Sequence, residues 1–485
     1  MNMKKSLISI LLLLCMLATF IACSAEKEAE NTDLVTDEDN SEEYSDIDDY
    51  VALLASEHSF NGADFCVLGG AETILPEKEE ETGNLENDAL YRRSRELEEL
   101  FDIVFSFKEA DGEGYYDLES EINDLVRQDV LSSSASYDMI NGWLRLCGSV
   151  MLGQSLLSPI NADGVIDLGR SWWLCGLEED FSLGGQLYYL SGKINLSHYN
   201  NPSCVVYNKT VAENFDLPDL YAIVDSGEWT LDKMYETASV IPASSDVKRY
   251  MIDYEYGLSV FYGGDFSLGG LDDNGEPYVI PQLTEDMVDY IEKIRSGFAD
   301  NSVAFNGYQA YYKGAEDFYD RDVFDNDRVL YWVDCLYRAA DMRPYDVEFG
   351  ILPVPKRDTV QEKYIAFSHN SEGIYFEKNC SDYEMSEVIT EAMAALSEKH
   401  VEPAFFEKAL KGRSTYDEQS RAVLDMLYNA RRIDLVDTYQ WAKTHELLNF
   451  ACLGINDAYV SSYKASVGLA KVQIKKLLAA IEKDG

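Results

Sequence analysis

The alternation of strands and helices over residues 63–142 constrains the fold of this chain more than any other feature. Three runs with the character of buried strands, Ala63–Leu68, Asp102–Phe107 and Tyr137–Ile140, are separated by helical segments at 91–101 and 120–132. In the second segment the apolar residues recur on one face, as in an amphipathic helix. This order is typical of a parallel sheet. We therefore predict an α/β fold.

Small and polar residues stand directly after the first and third of these strands. Gly69 and Gly70 follow the first strand, and Asn141 and Gly142 follow the third. Ligands of open parallel sheets bind beyond the carboxyl ends of the strands. Gly70 and Asn141 are therefore candidates for the rim of a binding site.

A polar segment between two apolar runs, within residues 184–209, is a candidate crossing between two lobes. The runs Leu187–Leu190 and Cys204–Tyr207 are rich in β-forming residues. The polar residues between them are Ser197, His198, Asn200 and Asn201, followed by Pro202, which interrupts a regular ladder. On this stretch alone, a hairpin with a polar loop is the alternative. In a crossing, these side chains would place hydrogen-bonding groups between the lobes.

The first 22 residues have the character of a lipoprotein signal peptide. Two lysines precede the apolar run Ser6–Ala22, which is short for a membrane span. The residues Phe20-Ile21-Ala22-Cys23-Ser24 resemble a bacterial lipobox, so Cys23 is the predicted lipid anchor. A plain secretory signal and an uncleaved anchor are the alternatives. We expect the protein on the extracellular face of the bacterial cell membrane.

The next segment, residues 23–58, is predicted to be an acidic, disordered tether. Twelve acidic residues and one lysine lie between Ser24 and Asp49, with almost no large apolar side chains. The formal net charge of the whole chain is −48 and is spread along its length. Nucleic-acid binding requires clusters of lysine and arginine, so we exclude it.

Cysteine, histidine and carboxylate patterns indicate neither a metal site nor catalysis. The cysteines that remain beyond Cys23 are odd in number, irregular in spacing and without a CxxC pair: Cys66, Cys147, Cys175, Cys204, Cys335, Cys380 and Cys452. We predict that all seven are free, most of them as buried small hydrophobes. No HExxH, GxSxG, phosphate-binding loop or complete GxGxxG motif occurs. We therefore predict no enzyme activity, no metal and no cofactor.

Aromatic side chains are abundant, with 33 Tyr and 6 Trp. Sugars present flat C–H faces and hydroxyl groups, which suit aromatic platforms flanked by polar side chains. Trp172 and Trp173 are adjacent in a polar segment, so they cannot share one face of a regular element. Either one is in the core and the other covers a loop, or one is a platform at a cleft.

Several segments in a fixed order resemble one protein family. The patterns GG-x-LYYLSG-x-INLS, V-YNK, LPDLY and G-x-WT-x-DKM are followed by Val329–Val333, Phe349–Lys356 and Asp417–Ser420. Together they resemble the extracellular solute-binding proteins (family 1) of carbohydrate ABC importers, with maltose-binding protein as a distant relative. The resemblance extends from about Asp64 to Lys476.

This resemblance implies a two-lobed, periplasmic-binding-protein-like fold of type II, with a ligand cleft between lobes joined by hinge crossings. Residues 59–202 with 358–410 would form one lobe, and residues 203–357 with 411–485 the other. The protein would be a monomer that binds a carbohydrate, an oligosaccharide in our prediction, and delivers it to an ABC transporter permease by hinge closure. A surface glycan hydrolase and a ligand-sensing partner on the same scaffold are the alternatives.

The resemblance also implies where the ligand binds. Trp332 matches the family's ligand-stacking aromatic, and Asp334 would project to the same side of an extended strand. Trp172 or Trp173 would approach from the opposite lobe, near His198, Asn200 and Asn201, whereas Tyr254 and Tyr256 would come from the lobe of Trp332. The alternative for Trp332 is a core position, given its apolar neighbours Leu330 and Val333.

Overall fold

The computed structural model describes residues 45–70, 74–78, 80–160, 164–252, 256–307, 324, 326–342, 347–368, 371–410 and 418–482. The chain divides into two units, 1–46 and 47–485, and nearly all described residues belong to the second. The strands are β1 (Ala63–Gly69), β2 (Ile103–Glu109), β3 (Met139–Trp143), β4 (Ser203–Asn208), β5 (Lys248–Ile252), β6 (Gly269–Leu271), β7 (Pro277–Val279), β8 (Ala304–Asn306), β9 (Val329–Cys335), β10 (Phe349–Pro353), β11 (Ala366–Phe367), β12 (Glu372–Tyr375) and β13 (Arg431–Arg432).

The helices alternate with these strands and dominate the C-terminal part. They are α1 (Ser45–Glu57), α2 (Leu85–Phe101), α3 (Tyr115–Ser132), α4 (Ser149–Gly153), α5 (Leu177–Phe181), α6 (Ser197–Asn200), α7 (Lys209–Asn214), α8 (Leu220–Asp225), α9 (Leu231–Ala238), α10 (Tyr256–Gly263), α11 (Glu285–Phe298), α12 (Leu336–Asp341), α13 (Tyr383–Leu410), α14 (Glu418–Asn429), α15 (Leu435–Tyr439), α16 (Thr444–Cys452) and α17 (Tyr459–Ile481). A π-helical turn, Leu144–Gly148, precedes α4, and a 3₁₀ turn, Trp441–Lys443, precedes α16.

The first sheet confirms the alternation predicted for residues 63–142. Its strand order is β12-β3-β1-β2, and β1 is parallel to both β2 and β3. The connecting helices α2 and α3 bury their apolar faces, including Leu97, Phe101, Ile122 and Val126. From much later in the chain, β12 joins the edge next to β3 in the antiparallel direction. The carboxyl ends of β1 and β3 therefore lie at the same edge of the sheet.

The second sheet has the order β10-β4-β9-β5-β8. In it β5 is parallel to β8 and β9, whereas β4 is antiparallel to β9 and β10. Every residue of β4 and β9 is buried, as the apolar runs of central strands require. The predicted strand Cys204–Tyr207 is confirmed as part of β4. The run Leu187–Leu190 is not a strand, because it makes only an isolated bridge between Leu190 and Ile374 before the chain turns.

The prediction of a disordered tether over residues 23–58 is wrong for its last part, where Ser45–Glu57 form helix α1. Helix α1 buries Ile47, Val51 and Leu54, which recur at helical spacing on one face. The Tyr50 hydroxyl donates to Glu391 of α13 at 3.1 Å. Because the segment is rich in acidic residues, its composition did not indicate this apolar stripe. Contact with α13 stabilises the helix. Cys23 and residues 1–44 lie outside the described residues.

Short pairings outside the two sheets lie in the segments that run between them. Pro202, just before β4, forms a bridge with Ser368, and β11 pairs in parallel with β13. Helix α14 packs on β10 of the second sheet, whereas α17 contacts both α4 and β7. This architecture confirms the predicted α/β, two-lobed fold. The exact boundaries of the lobes stay a prediction.

The cysteines are free, as predicted: Cys66, Cys147, Cys175, Cys204, Cys335, Cys380 and Cys452. Four of the seven are buried, as predicted for most of them, but Cys175 is exposed although its neighbour Leu174 is apolar. Leu174 beside it is buried and the chain turns there, so the two neighbours face opposite ways. None of the described helices is long and apolar enough to cross a membrane.

Candidate ligand-binding site

The junction between the two sheets brings together predicted site residues from both. Helix α12 directly follows β9 and contacts α6 and α13, which belong with the first sheet. The Leu336 N–H at the start of α12 donates to the Pro202 carbonyl at 3.1 Å. The strand that carries Trp332 and Asp334 thus ends beside the helix that carries His198.

Trp332 is buried on β9, with 3% of its surface exposed. Its ring lies 5.6 Å from that of Phe324, and the Arg338 guanidinium stands 4.8 Å from the ring centroid on one face. Within the described part of the chain, the indole Nε1–H donates to no acceptor. A buried donor without an acceptor lowers the stability of a folded protein. A ligand oxygen that accepted a hydrogen bond from this nitrogen would remove that penalty.

Asp334 and Arg338 form an ion pair beside Trp332. Arg338 Nε donates to Asp334 Oδ2 at 2.9 Å, and the Cys335 N–H donates to Oδ1 at 2.7 Å. Burial raises the pKa of Asp334, while the Arg338 guanidinium acts in the opposite direction. Arg338 also donates to the Tyr337 hydroxyl. The carboxylate is therefore already engaged with Arg338, and it positions the guanidinium on the Trp332 face.

His198 is paired with Arg431, a buried arginine of β13. Arg431 Nη1 donates to His198 Nδ1 at 2.7 Å, which requires the imidazole to carry its proton on Nε2. Burial, assisted by the nearby Arg431 and Lys193 charges, holds the pKa of His198 well below its usual range. The imidazole also stacks on Tyr428 of α14, with ring centroids 6.0 Å apart. His198 therefore links α6 to β13 and α14.

Asn141 belongs to a buried polar network at the edge of the first sheet. Its amide donates to Glu372 Oε1 at 3.3 Å and its oxygen accepts from Asn195 at 3.3 Å. Glu372 Oε2 accepts from the Ser197 N–H at 3.1 Å, and Ser197 Oγ accepts from the Glu372 N–H at 2.9 Å. This network connects the carboxyl end of β3 to α6, and so to His198.

Trp172 and Trp173 are packed on α13. Both are buried, and both indole N–H groups donate to Glu391, at 3.0 and 2.8 Å. The Tyr50 ring of α1 lies 5.3 Å from that of Trp172. Burial raises the pKa of Glu391 to about 7, although its donors oppose the shift. The two indole nitrogens are thus already used, and their rings are linked to α1 and α13 rather than to Trp332.

The remaining predicted residues lie at less informative positions. Asn200 is the last residue of α6 and is half-buried, and the Asn201 N–H caps that helix by donating to the Ser197 carbonyl at 3.0 Å. Gly70 directly follows β1 at the same sheet edge as Asn141. Tyr256 begins α10, whereas Tyr254 lies outside the described residues.

Three residues at this junction were missed by sequence reasoning. Arg338 follows Asp334 by four residues across a strand–helix boundary, which was the available signal. Glu372 and Arg431 carried no local signal, because they come from distant segments that meet only in the fold. The groups near this junction comprise an aromatic face, amide, imidazole and carboxylate groups and two guanidinium ions, which are the types that contact apolar faces and hydroxyl groups of ligands.

The sequence matches no family model and no curated protein. The fold, however, is similar to solved structures. One is an ABC substrate-binding protein from Listeria monocytogenes in complex with cycloalternan, at 12% identity and a TM-score of 0.53, covering 86% of this chain and 99% of that one. Another is the galacto-N-biose-/lacto-N-biose I-binding protein of the ABC transporter from Bifidobacterium longum, at 12% identity and a TM-score of 0.55, covering 86% and 98%.

A third is the cyclic alpha-maltosyl-1,6-maltose binding protein from Arthrobacter globiformis, at 12% identity and a TM-score of 0.55, covering 86% of this chain and 99% of that one. At this identity the likeness establishes the fold alone. The fold of this chain is similar to that of these ABC sugar-binding proteins, which confirms the fold that the resemblance in the sequence implies.

Proposed function

We propose that this protein binds an oligosaccharide at the cell surface and delivers it to an ABC importer. The observation that carries the proposal is the contact of α12 with α6, which places the helix that follows the Trp332 strand beside the helix of His198. Trp332 itself is buried, and its Nε1–H has no acceptor among the described residues. The solved structures of similar fold in complex with cycloalternan and lacto-N-biose support the ligand class.

A carbohydrate suits these groups better than an amino acid does. An indole face stacks on the C–H surface of a pyranose, and indole N–H, amide and guanidinium groups donate to its oxygens. An amino acid would instead need an accessible carboxylate for its ammonium group. Asp334 is fully buried and already paired with Arg338, and Glu372 is bonded to Asn141 and Ser197. Neither carboxylate is placed for that task.

Hinge closure would be the mechanism. The pairings at Pro202, β11 and β13 involve one or two residues on each side, so rotation about these segments would move β9 and α12 relative to α6. A ligand that contacts Trp332 on one side and the Asn141 network on the other stabilises the closed form by its differential affinity. The permease would then recognise that form.

Acylation of Cys23 would hold the protein at the extracellular face of the membrane. The lipobox-like sequence supports this part of the proposal. In this proposal the protein is a monomer that needs no cofactor and performs no catalytic step. Residues 23–44 form the tether between the lipid and the folded part of the chain.

A thermal-shift screen followed by calorimetry tests the proposal. The panel should contain cycloalternan, maltotetraose and lacto-N-biose, with amino acids and polyamines as controls. We expect one sugar class to raise the melting temperature in a concentration-dependent way, because a ligand that binds only the folded state stabilises it. Stabilisation by the controls alone would contradict the ligand class. Shortened products on chromatography would indicate the hydrolase, and unimpaired sugar uptake in a deletion strain would indicate the sensor.

A further inference from the structure

The C-terminal helix α17 differs from the rest of the chain in its charge. Asp and Glu number 88 in the 485 residues, yet none occurs within Tyr459–Ile481. The helix carries four lysines instead, Lys464, Lys471, Lys475 and Lys476, and all are exposed. Within the described part of the chain, none of these ammonium groups is in an ion pair. In a chain of net charge −48, this is a local excess of free positive charge.

The outer face of α17 is both basic and apolar. Lys464, Lys471 and Lys475 follow at spacings of seven and four residues, which places them in one stripe along the helix. Val472, which borders this stripe, is 64% exposed, and Leu469, which lies beside Lys476 seven residues on, is 56% exposed. The opposite face, with Tyr463, Val467, Ala470, Ile474, Leu477 and Ile481, is buried against the protein.

Other exposed apolar side chains lie close by in the fold. Val150 of α4 and Tyr278 of β7 are 39% and 44% exposed, and both elements contact α17. Exposed aliphatic groups beside a line of ammonium groups are the arrangement of helices that lie in the plane of a membrane surface. The apolar side chains enter the headgroup region, while lysine stems lie along it with their charges near the phosphates.

We propose that the outer face of α17 docks on an anionic phospholipid surface. Charge complementarity carries the argument, because each lysine near an anionic surface is attracted to it independently of the others. The net charge of the protein does not prevent this contact. At physiological salt the Debye length is roughly 8 Å, so acidic groups farther from the surface are largely screened. This inference goes beyond the proposed sugar binding and does not depend on it.

The composition of this face favours lipid over a protein partner. Interface cores between proteins are enriched in aromatic side chains and arginine and depleted in lysine. The α17 face has lysines without arginine, and its most exposed apolar residues, Leu469 and Val472, are aliphatic. Docking would orient the lobes relative to the bilayer.

Vesicle co-sedimentation tests the proposal without the contribution of an acyl chain. The chain from residue 24 onward keeps every described residue and lacks Cys23. It is mixed with vesicles of phosphatidylglycerol and phosphatidylcholine, or of phosphatidylcholine alone. We expect binding to the anionic vesicles that is lost at 0.5 M NaCl. The triple variant Lys471→Glu, Lys475→Glu, Lys476→Glu should lower the partition coefficient at least about tenfold.

Two further variants make the result specific. Leu469→Ser with Val472→Ser should lower partition several-fold at an unchanged salt dependence. The matched control Lys78→Glu, Lys108→Glu, Lys363→Glu changes the same charge at exposed positions outside α17 and should bind as wild type does. Circular dichroism confirms that each variant is folded.

Equal loss in the control, or no binding to anionic vesicles at low salt, overturns the proposal. Stronger binding to immobilised polyglutamate than to vesicles would overturn it in favour of an acidic protein partner. Self-association that the α17 lysine variant abolishes would overturn it in favour of a second copy. Sugar affinity measured on the same variants should be unchanged, which separates this proposal from the proposed function.

Discussion

Replacing Trp332 by phenylalanine distinguishes a ligand platform from an ordinary core residue. The side chain is 97% buried and its Nε1–H has no acceptor among the described residues. An unsatisfied buried donor costs about 1–3 kcal/mol, which the substitution removes. The smaller ring loses roughly 1–2 kcal/mol of packing. The two effects nearly cancel, so we expect the free energy of unfolding to change by less than about 1 kcal/mol.

Trp229→Phe is the matched control in the same lobe. Trp229 is fully buried, and its Nε1–H donates to the Pro353 carbonyl at 2.8 Å. This substitution removes packing and leaves an acceptor unsatisfied, so we expect a loss of about 2–3 kcal/mol. Urea denaturation measures both variants. Titration calorimetry with the sugar identified in the screen then measures affinity.

We expect the two substitutions to have opposite effects on stability and on sugar affinity. Trp332→Phe should keep its stability and lose affinity roughly tenfold, since a ligand oxygen would lose its donor and part of its platform. Trp229→Phe should lose stability and keep its affinity. Unchanged affinity in Trp332→Phe would remove this residue from the site. A stability loss equal to that of Trp229→Phe would show that its indole nitrogen is satisfied in solution.

Four further measurements test other parts of the structure. Asp334→Asn should lower the free energy of unfolding by about 3–5 kcal/mol, because the buried ion pair with the Arg338 guanidinium is broken by removing one partner; Asp334→Leu combined with Arg338→Met should cost less, and equal losses would contradict the pairing. Burial raises the pKa of Glu119 from 4.5 to about 7, so its protonated form stabilises the fold below pH 4.5 and this contribution is lost as the pH rises through 7. Glu119→Gln should therefore show a shallower decline between pH 5 and 7.5 than wild type, and parallel declines would contradict the shift. In the native protein, maleimide should label the exposed Cys175 first, and after denaturation without reductant all seven thiols should react; two protected thiols would reveal a disulfide. Cys23→Ser should release the protein or leave its precursor uncut, whereas normal processing and membrane retention would exclude the lipid anchor.

The sequence by itself determined the fold class and the order of the main elements. Strands β1, β2 and β3 and their connecting helices were predictable because their apolar residues recur with the period of each element. The segment 23–58 was predicted less well. Its charge indicated disorder, but α1 forms where Ile47, Val51 and Leu54 meet a partner surface, and composition does not record that surface.

Only the tertiary structure decided which polar groups meet at the junction. Trp332 was predicted from the resemblance, and Asp334 from its position two residues along the same strand; their role at the site stays a prediction. Arg431 and Glu372 join His198 and Asn141 through contacts between segments far apart in the chain, and no local pattern encodes such pairs. Trp172 and Trp173 were candidates for a cleft on sequence grounds. In the fold, both indole N–H groups donate to Glu391, which lies more than two hundred residues later in the chain. Periodicity is a local property of a sequence, whereas the partner of a buried polar group is set by packing, and that is the physical reason for the division.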